Sequence, residues 1–194
     1  GGIGGASGDP GAVVTASHGL MAVCLSGSGE VAIRSRGSVR RISVGRRPTA
    51  LAINDGRLYV ANRFDDTVSV IAIDTGTVVQ TISLGKTPPL SATERGELLF
   101  FNARLSHDGW MSCHSCHTDG HSSGLLVDTL GDGDYGAPKR VPSLLGTRNT
   151  GPWAWDGSMV SLADQIQSSV TTTMHGDRLT ERQTRDLVSY LESL

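Results

Sequence analysis

The chain has 194 residues, enough for one large domain or two small ones, and its 25 glycines with 5% aromatic residues indicate turn-rich structure. The formal net charge of -2 gives no reason to expect nucleic-acid binding. No run approaches the roughly 18 consecutive apolar residues of a membrane span. The sequence starts with glycine rather than methionine and shows no signal peptide, so we expect a mature, processed or truncated product.

The first part of the chain, residues 1–89, contains a repeat. The turn Gly45-Arg46-Arg47-Pro48 recurs about 40 residues later as Gly85-Lys86-Thr87-Pro88. β-branched runs predict short strands over residues 58–62, 67–71 and 78–82, with turns at 55–56 and 74–76. The preceding unit matches at an offset of 37 residues, which places Gly19 on Gly56 and Val31 on Val68. A period near 40 with four short strands is typical of a β-propeller blade.

The runs at 58–62, 67–71, 74–79 and 82–85 resemble the YVTN family of propeller repeats. The resemblance covers residues from about 8 to 88 and implies a partial β-propeller of about two four-stranded blades. Closed propellers have about four to eight blades. We therefore expect that this segment belongs to a longer chain; the alternative is that another chain completes the propeller.

Two other features of this segment have simple interpretations. A basic run is interpreted mainly as solvated loop and edge-strand charge, with a docking patch for an acidic partner as the alternative; it consists of Arg34, Arg36, Arg40, Arg41, Arg46 and Arg47. Cys24 lies in the apolar run 20–25, where a single thiol is most simply a small buried hydrophobe.

Three helices are predicted in residues 90–194 from their start signals. A capping box at Ser91–Glu94 opens a helix to about residue 102, with Leu98, Leu99 and Phe101 available to the core. Ser161 opens a second helix, which has an apolar stripe of Leu162, Ile166 and Val170. Thr180 and Gln183 form a capping box for a third helix, which runs to the end of the chain with a stripe of Leu187, Leu191 and Leu194.

The motif Cys113-His114-Ser115-Cys116-His117 lies between the first and second of these helices. C-x-x-C-H is the attachment signature of a c-type haem, because two thiols can form thioethers and the following imidazole can ligate the iron. The alternatives are a zinc site completed by His107 or His121, and a thioredoxin-like redox pair. The order of helix, motif, long loop and two helices predicts an all-α cytochrome c domain over residues 90–194 with one covalent haem c.

The sixth position of the iron decides between two kinds of function. Methionine sulfur would make a closed electron-transfer site, whereas an empty position would admit peroxide. The candidates are Met159, Met174 and His175, with His107, His114 and His121 less convenient. Spacing favours Met174, at the end of the second helix; the alternative is that it fills the core.

Six segments of this part of the chain are taken together: 140–144, 151–158, 161–162, 173–174, 179–180 and 186–191. Over residues 91–194 they resemble the C-terminal haem domain of bacterial di-haem cytochrome c peroxidases and their MauG-like relatives. The resemblance implies that Cys113 and Cys116 are the thioether sites, His117 the proximal ligand and Met174 the distal ligand. The family's aromatic-His-Asp-Gly segment appears here as Trp155-Asp156-Gly157, so a histidine is missing and its role is not transferred.

Those peroxidases carry two haems, whereas this chain has one C-x-x-C-H motif. We therefore expect one-electron transfer with a redox partner protein, in the periplasm or outside the cell. One alternative is part of a peroxidase or MauG-like oxidoreductase whose second haem or substrate site lies outside this chain. Another is a propeller binding or dehydrogenase module for which the cytochrome is the electron outlet. No acid-base pair or nucleophile suggests other enzyme chemistry.

Residues near the motif have weaker support. Trp110, Trp153 and Trp155 are interpreted first as haem-packing aromatics and second as electron-relay groups. Lys139 and Arg148 are candidates for neutralising haem propionates, and surface charge is the alternative. An acidic loop contains Asp128, Gly131, Asp132, Gly133 and Asp134; we interpret it as a polar turn, with a calcium site as the alternative.

Overall fold

The computed structural model describes residues 7–86, 88–130 and 132–194, so the predicted features at residues 1–5, Thr87 and Gly131 lie outside the described residues. The chain divides into two units: residues 1–88, the first or sheet unit, and residues 89–194, the second or helical unit. Among the helices described, none is both long enough and apolar enough to cross a bilayer.

Eight strands of the first unit form two antiparallel four-stranded sheets. Sheet 1 has the order β1 (Pro10–Ala16), β2 (Leu20–Leu25), β3 (Glu30–Ser35) and β4 (Ser38–Ser43). Sheet 2 has the order β5 (Pro48–Asn54), β6 (Arg57–Asn62), β7 (Thr67–Ala72) and β8 (Thr77–Ser83). The strands predicted at 58–62, 67–71 and 78–82 are confirmed, because they fall within β6, β7 and β8.

The turns follow from backbone conformations that the sequence favours. Asp55 and Gly56 join β5 to β6 with φ values of 44° and 70°, as a two-residue hairpin turn requires, so the turn predicted there is confirmed. Gly19 precedes β2 as Gly56 precedes β6, and its φ is 73°. The repeat between the two sheets therefore includes the glycines with positive φ, Gly19 and Gly56.

One apolar core lies between the two sheets. Sheet 1 contributes Ala22, Val31, Ile33 and Ile42, and sheet 2 contributes Leu58, Val60 and Ile71. Cys24 is fully buried, as predicted, and burial raises the pKa of its thiol to about 11. Both sheets are open, with edge strands on either side. The first unit is therefore sheet-rich, but these two sheets alone do not establish a propeller.

Arginines of the basic run have partners within the first unit. Arg40 Nη1 donates to the carbonyls of Asp74 and Thr75, at 3.2 and 2.8 Å. Arg41 forms an ion pair with Glu30, and Arg46 Nε donates to Asp65 Oδ1 at 2.5 Å. Arg40 and Arg41 lie on β4, an edge strand, as the interpretation of solvated edge charge expects.

The second unit contains four helices and a short ribbon. The helices are α1 (Ala92–Phe100), α2 (Cys113–Cys116), α3 (Leu162–Ser168) and α4 (Glu181–Leu191). The capping boxes predicted at Ser91 and Thr180 are confirmed, and the Ser161 side chain accepts from Asp164 N–H. An antiparallel ribbon of β9 (Leu126–Val127) and β10 (Lys139–Arg140) was not predicted, so the unit is helical but not purely α.

The predicted apolar stripes hold for α3 and in part for α4. Leu162, Ile166 and Val170 are buried, and so are Leu187 and Leu191. The third predicted helix is shorter than expected, because α4 ends at Leu191 and leaves Leu194 beyond it.

Helices α1 and α4 pack closely because α1 presents a glycine at the contact. A Cβ added at Gly96 would overlap the carbonyl of Asp186. Four residues further along, the ring of Phe100 lies 5.2 Å from that of Tyr190. This register corrects the prediction for α1, since Phe100 is fully buried whereas Leu98 and Leu99 are half-buried. Phe101 is buried as predicted.

A partly buried ion pair adds to the contact between these helices. Arg95 Nε and Nη2 donate to the two carboxylate oxygens of Asp186, at 2.8 and 2.7 Å. The Arg95 guanidinium holds the pKa of this carboxyl below its usual range. The Asp186 carboxylate is therefore ionised wherever the helical unit is folded near neutral pH.

Candidate functional site

The two motif cysteines lie on one turn of helix. Helix α2 comprises only residues Cys113–Cys116, so the two thiols are three positions apart and project on the same side. Both side chains are half-buried, and neither is in a disulfide. Ser112, which precedes the helix, is buried, and its N–H donates to Ser115 Oγ at 2.9 Å. The helix therefore presents both thiols on one side, where a single ligand could contact both.

His117 follows α2, and its ring is held by a distant part of the chain. Its N–H donates to the Cys113 carbonyl at 2.9 Å, and its Nδ1 lies 3.0 Å from the carbonyl oxygen of Pro142. Because a carbonyl can only accept, Nδ1 carries the proton and Nε2 is the nitrogen with an available lone pair. Burial lowers the pKa of His117, and contacts with the backbone of Pro142 and His121 oppose this in part. The imidazole is therefore neutral and oriented at pH 7, with its Nε2 lone pair available.

The segment that carries Pro142 is bonded to the loop after the motif. Val141 N–H donates to the Leu125 carbonyl at 3.0 Å, and Leu144 N–H donates to the Gly120 carbonyl at 3.1 Å. Ser122 Oγ donates to the Val141 carbonyl at 2.6 Å. The sequence analysis did not predict that the Pro142 segment bonds to the loop after the motif. The signal available in the sequence was the Val-Pro-Ser-Leu run at 141–144.

The side chain of Met174 is buried in the helical unit, with 4% of its surface exposed. Helix α3 passes into a π-helical turn over Ser169–Thr173, and Met174 ends it by donating its N–H to the Ser169 carbonyl at 3.0 Å. The Met174 carbonyl accepts from His107 N–H, also at 3.0 Å. Of the other candidates, Met159 is half-buried and His175 is exposed.

The tryptophans differ in exposure. Trp153 is half-buried, and its Nε1 donates to the Thr147 carbonyl at 3.2 Å. Trp110 and Trp155 are 49% and 58% exposed. Lys139 Nζ lies 4.5 Å from the centre of the Trp155 ring, and Lys139 also pairs with Asp132. Lys139 thus has partners within the loop, whereas Arg148 is exposed.

The acidic loop uses its carboxylates for its own backbone. Asp128 accepts from the N–H groups of Leu130 and Gly136, at 3.1 and 2.7 Å, and Asp134 accepts from Tyr135 N–H at 2.7 Å. These contacts match a polar turn. Across residues 7–86, 88–130 and 132–194, no group of three or more His, Cys, Asp or Glu side chains is placed to hold a metal ion by itself.

Comparison with known proteins identifies the family of the second unit. Residues 91–192 match the family model described as di-haem cytochrome c peroxidase. Similar curated proteins include the methylamine utilization protein MauG of Methylorubrum extorquens, 37% identical over 78 residues, which are 39% of this chain and 22% of that protein. The cytochrome-c peroxidase IdrP2 of Denitromonas iodatirespirans is 29% identical over 148 residues, 75% of this chain and 36% of that protein.

The cytochrome c551 peroxidase of Pseudomonas aeruginosa is 31% identical over 113 residues, 54% of this chain and 32% of that protein. The chain thus spans at most about a third of the curated relatives it matches. Among solved structures, a hydrazine synthase of Kuenenia stuttgartiensis matches with a TM-score of 0.51 at 23% identity. The match covers 60% of this chain and 48% of that one, and it shows similarity of fold alone.

Proposed function

The chain belongs to the di-haem cytochrome c peroxidase family, and on that premise we propose that it carries one covalent haem c and transfers single electrons. In this proposal Cys113 and Cys116 form the thioether links, and His117 and Met174 are the axial ligands. When bound, haem c supplies a one-electron iron couple. The proposal is carried by one observation: an oriented, neutral imidazole directly follows two thiols on one helical turn.

The role of His117 rests on its contact with Pro142. A ligating histidine usually donates its other ring N–H to a carbonyl or carboxylate, which fixes the ring and raises the basicity of the ligating nitrogen. The 3.0 Å contact from Nδ1 to the Pro142 carbonyl is of that kind. His117 thus needs little reorganisation to act as the proximal ligand.

The role of Met174 rests on its burial and on its fixed backbone. A thioether ligand raises the reduction potential of haem iron and occupies the position that peroxide would need. The two backbone bonds at Met174, from its own N–H and to its carbonyl, hold the residue at the end of the π-helical turn. A site closed by Met174 favours electron transfer over peroxide reduction.

A second candidate function is supported by the family itself. Relatives described as peroxidases and as MauG match this chain over only part of their length. The alternative is therefore that this chain is the electron-accepting part of a peroxidase or MauG-like oxidoreductase whose second haem lies elsewhere. In that case peroxide reacts at the other haem and not at His117.

For the first unit, we propose that sheets 1 and 2 are two blades of a YVTN-type β-propeller. Equivalent strands recur at nearly constant offsets, and consecutive strands pair in the order of the sequence in both sheets. We also propose that this unit is a scaffold or a docking surface for a redox partner protein. Covalent attachment of haem c takes place outside the cytosol, so the proposed location is the periplasm or the cell exterior.

The attachment is tested by producing the chain with haem-c maturation and measuring haem per chain by mass spectrometry. We expect one haem for the wild type and loss of stable attachment for the Cys113→Ala, Cys116→Ala double variant. Cys24→Ala is the matched control and should keep the haem, because Cys24 is fully buried in the first unit. Full attachment in the double variant would refute the proposal. Turnover of peroxide with an electron donor by a longer chain that contains a second haem, but not by this chain alone, would favour the second candidate.

A further inference from the structure

The backbone reverses direction directly after the π-helical turn, at the buried Met174. Met174 itself keeps a helical backbone, with φ and ψ of -90° and -7°. The next residue, His175, has a φ of 51°, in the left-handed region. A residue with a side chain is strained there and persists only where its surroundings fix the backbone. The reversal at Met174 and His175 therefore needs contacts that hold it in place.

Two backbone hydrogen bonds supply such contacts. Gly176 N–H donates to the Val170 carbonyl at 2.9 Å, which closes the reversal onto the π-helical turn. His107 N–H donates to the Met174 carbonyl at 3.0 Å, from a segment that precedes the haem motif. The position of Met174 thus depends on a part of the chain remote from it in sequence.

Gly176 packs against the same remote segment. A Cβ added at Gly176 would overlap the carbonyl oxygen of Leu105, so a larger residue would force the two segments apart. The φ of Gly176 lies outside the left-handed region, so the backbone conformation by itself does not require glycine there. The close approach to Leu105 is therefore the structural reason for a glycine at this position.

The segment that contacts the reversal is anchored close to the haem motif. Ser106 is buried, and its Oγ donates to the Ala103 carbonyl at 2.8 Å. The same Oγ accepts from Met111 N–H at 3.2 Å, just before the chain enters α2. We call residues 105–107 the distal support. They join the Met174 reversal to the chain that carries the motif cysteines.

We propose that the distal support positions the Met174 thioether as an axial ligand, through the N–H of His107 and the close contact at Gly176. This inference rests on the proposed function, in which Met174 ligates the iron. Because the sulfur must lie at bonding distance from the iron, a shift of the Met174 backbone weakens or breaks that bond. His107 and Gly176 act through Met174, so they are positioning residues and not ligands.

His107→Pro and His107→Ala separate the backbone bond from the side chain. Proline removes the N–H and places ring carbons against the Met174 carbonyl, whereas alanine keeps the N–H. Ser106 is extended, with φ and ψ of -96° and 162°, as the residue before a proline should be. The His107 side chain is 72% exposed, so its loss is tolerated. In the haem-loaded chain, His107→Pro should weaken the far-red absorption band of sulfur-to-iron ligation, and His107→Ala should keep it.

Imidazole binding to the oxidised, haem-loaded chain measures how firmly Met174 closes its position. Added imidazole competes with the sulfur, so a weaker hold on Met174 raises the apparent affinity. A hydrogen bond is worth up to about a factor of ten, so His107→Pro should bind imidazole about tenfold more tightly than the wild type. Gly176→Ala should change the affinity in the same direction. Gly96→Ala, which overpacks the contact between α1 and α4, is the control for general loss of stability and should bind imidazole as the wild type does.

The outcomes distinguish this inference from the proposed function. A wild type without the far-red band contradicts Met174 as a ligand, and both then fail together. A wild type with the band, and wild-type imidazole affinity in His107→Pro, overturns the inference alone. An equal rise in affinity for Gly96→Ala also overturns it, because the effect is then general destabilisation. The pair at His107 gives the answer even if Gly176→Ala yields no folded protein.

Discussion

The two units of the chain build their structure in different ways. In the sheet unit every strand pairs with its neighbour in sequence, so the contacts are local and recur from one sheet to the next. In the helical unit the decisive contacts join distant residues: Arg95 and Asp186 are 91 residues apart, and His117 and Pro142 are 25 apart. A repeat can be recognised from the sequence because its pattern recurs. A single site depends on long-range contacts that occur once and leave no such pattern.

Gly96→Ala should destabilise the helical unit through the contact between α1 and α4. Alanine would add about 1 kcal/mol of helix propensity, but its Cβ would overlap the Asp186 carbonyl and force α1 and α4 apart. Overpacking of this kind costs about 3 kcal/mol, so we expect a net loss of about 2 kcal/mol. Chemical denaturation checks it. Gly85→Ala is the control, because a Cβ at Gly85 meets open space; a gain in stability for Gly96→Ala would contradict the packing described.

A matched pair of leucine substitutions separates the two units. Leu58 and Leu187 are each buried in the core of one unit, and replacing either with alanine should cost about 3 kcal/mol. All three tryptophans lie in the helical unit, so their fluorescence reports on that unit. Leu58→Ala should leave the midpoint of the tryptophan-detected unfolding transition unchanged, and Leu187→Ala should lower that midpoint. If both shift it equally, the units do not unfold separately.

Acid should weaken the helical unit through Asp186. Arg95 lowers the pKa of this carboxyl in the folded protein, so the stabilisation is present above the unfolded value of about 3.9 and is lost as the pH falls through the folded pKa. Asp186→Asn should be less stable than the wild type at neutral pH and should lose less stability below about pH 4. Thermal unfolding against pH measures this. Asp177→Asn, at an exposed position, should keep the wild-type slope.

The smallest expected effect is at Cys24. Burial raises its pKa to about 11, so almost none of it is thiolate at neutral pH, and the thiolate is the reactive form. In the haem-free chain, iodoacetamide should modify Cys113 and Cys116 and leave Cys24 unmodified until the chain is denatured. Mass spectrometry of the alkylated peptides checks this, and modification of Cys24 in the folded chain would show that the sheets open readily.

Much of the fold follows from local signals in the sequence. Ser91 and Thr180 were predicted as helix starts because a capping side chain and its partner lie three residues apart, and both capping boxes are present. Asp55 and Gly56 were predicted as a turn because the two residue types tolerate positive φ. The strands at 58–62, 67–71 and 78–82 were predicted because the pattern of β-branched residues that indicates a strand is complete within a few residues.

The parts that were missed depend on what lies across the fold. Leu98 and Leu99 have the side chains expected of a core, but the close approach of α4 at Gly96 turns Phe100 inward instead. The motif itself identifies His117, yet the carbonyl that orients its ring belongs to Pro142, which no local pattern connects to it. Sequence alone therefore predicts the candidate ligands better than the groups that hold them.

The most direct test of the proposed function is the optical spectrum of the haem-loaded chain, oxidised and reduced, for the wild type and Met174→Ala. Met159→Ala is the matched control. We expect a low-spin spectrum with the weak far-red sulfur-to-iron band in the wild type and in Met159→Ala, and loss of that band in Met174→Ala. A high-spin wild type, or a spectrum that Met174→Ala leaves unchanged, would contradict a closed His117 and Met174 electron-transfer site.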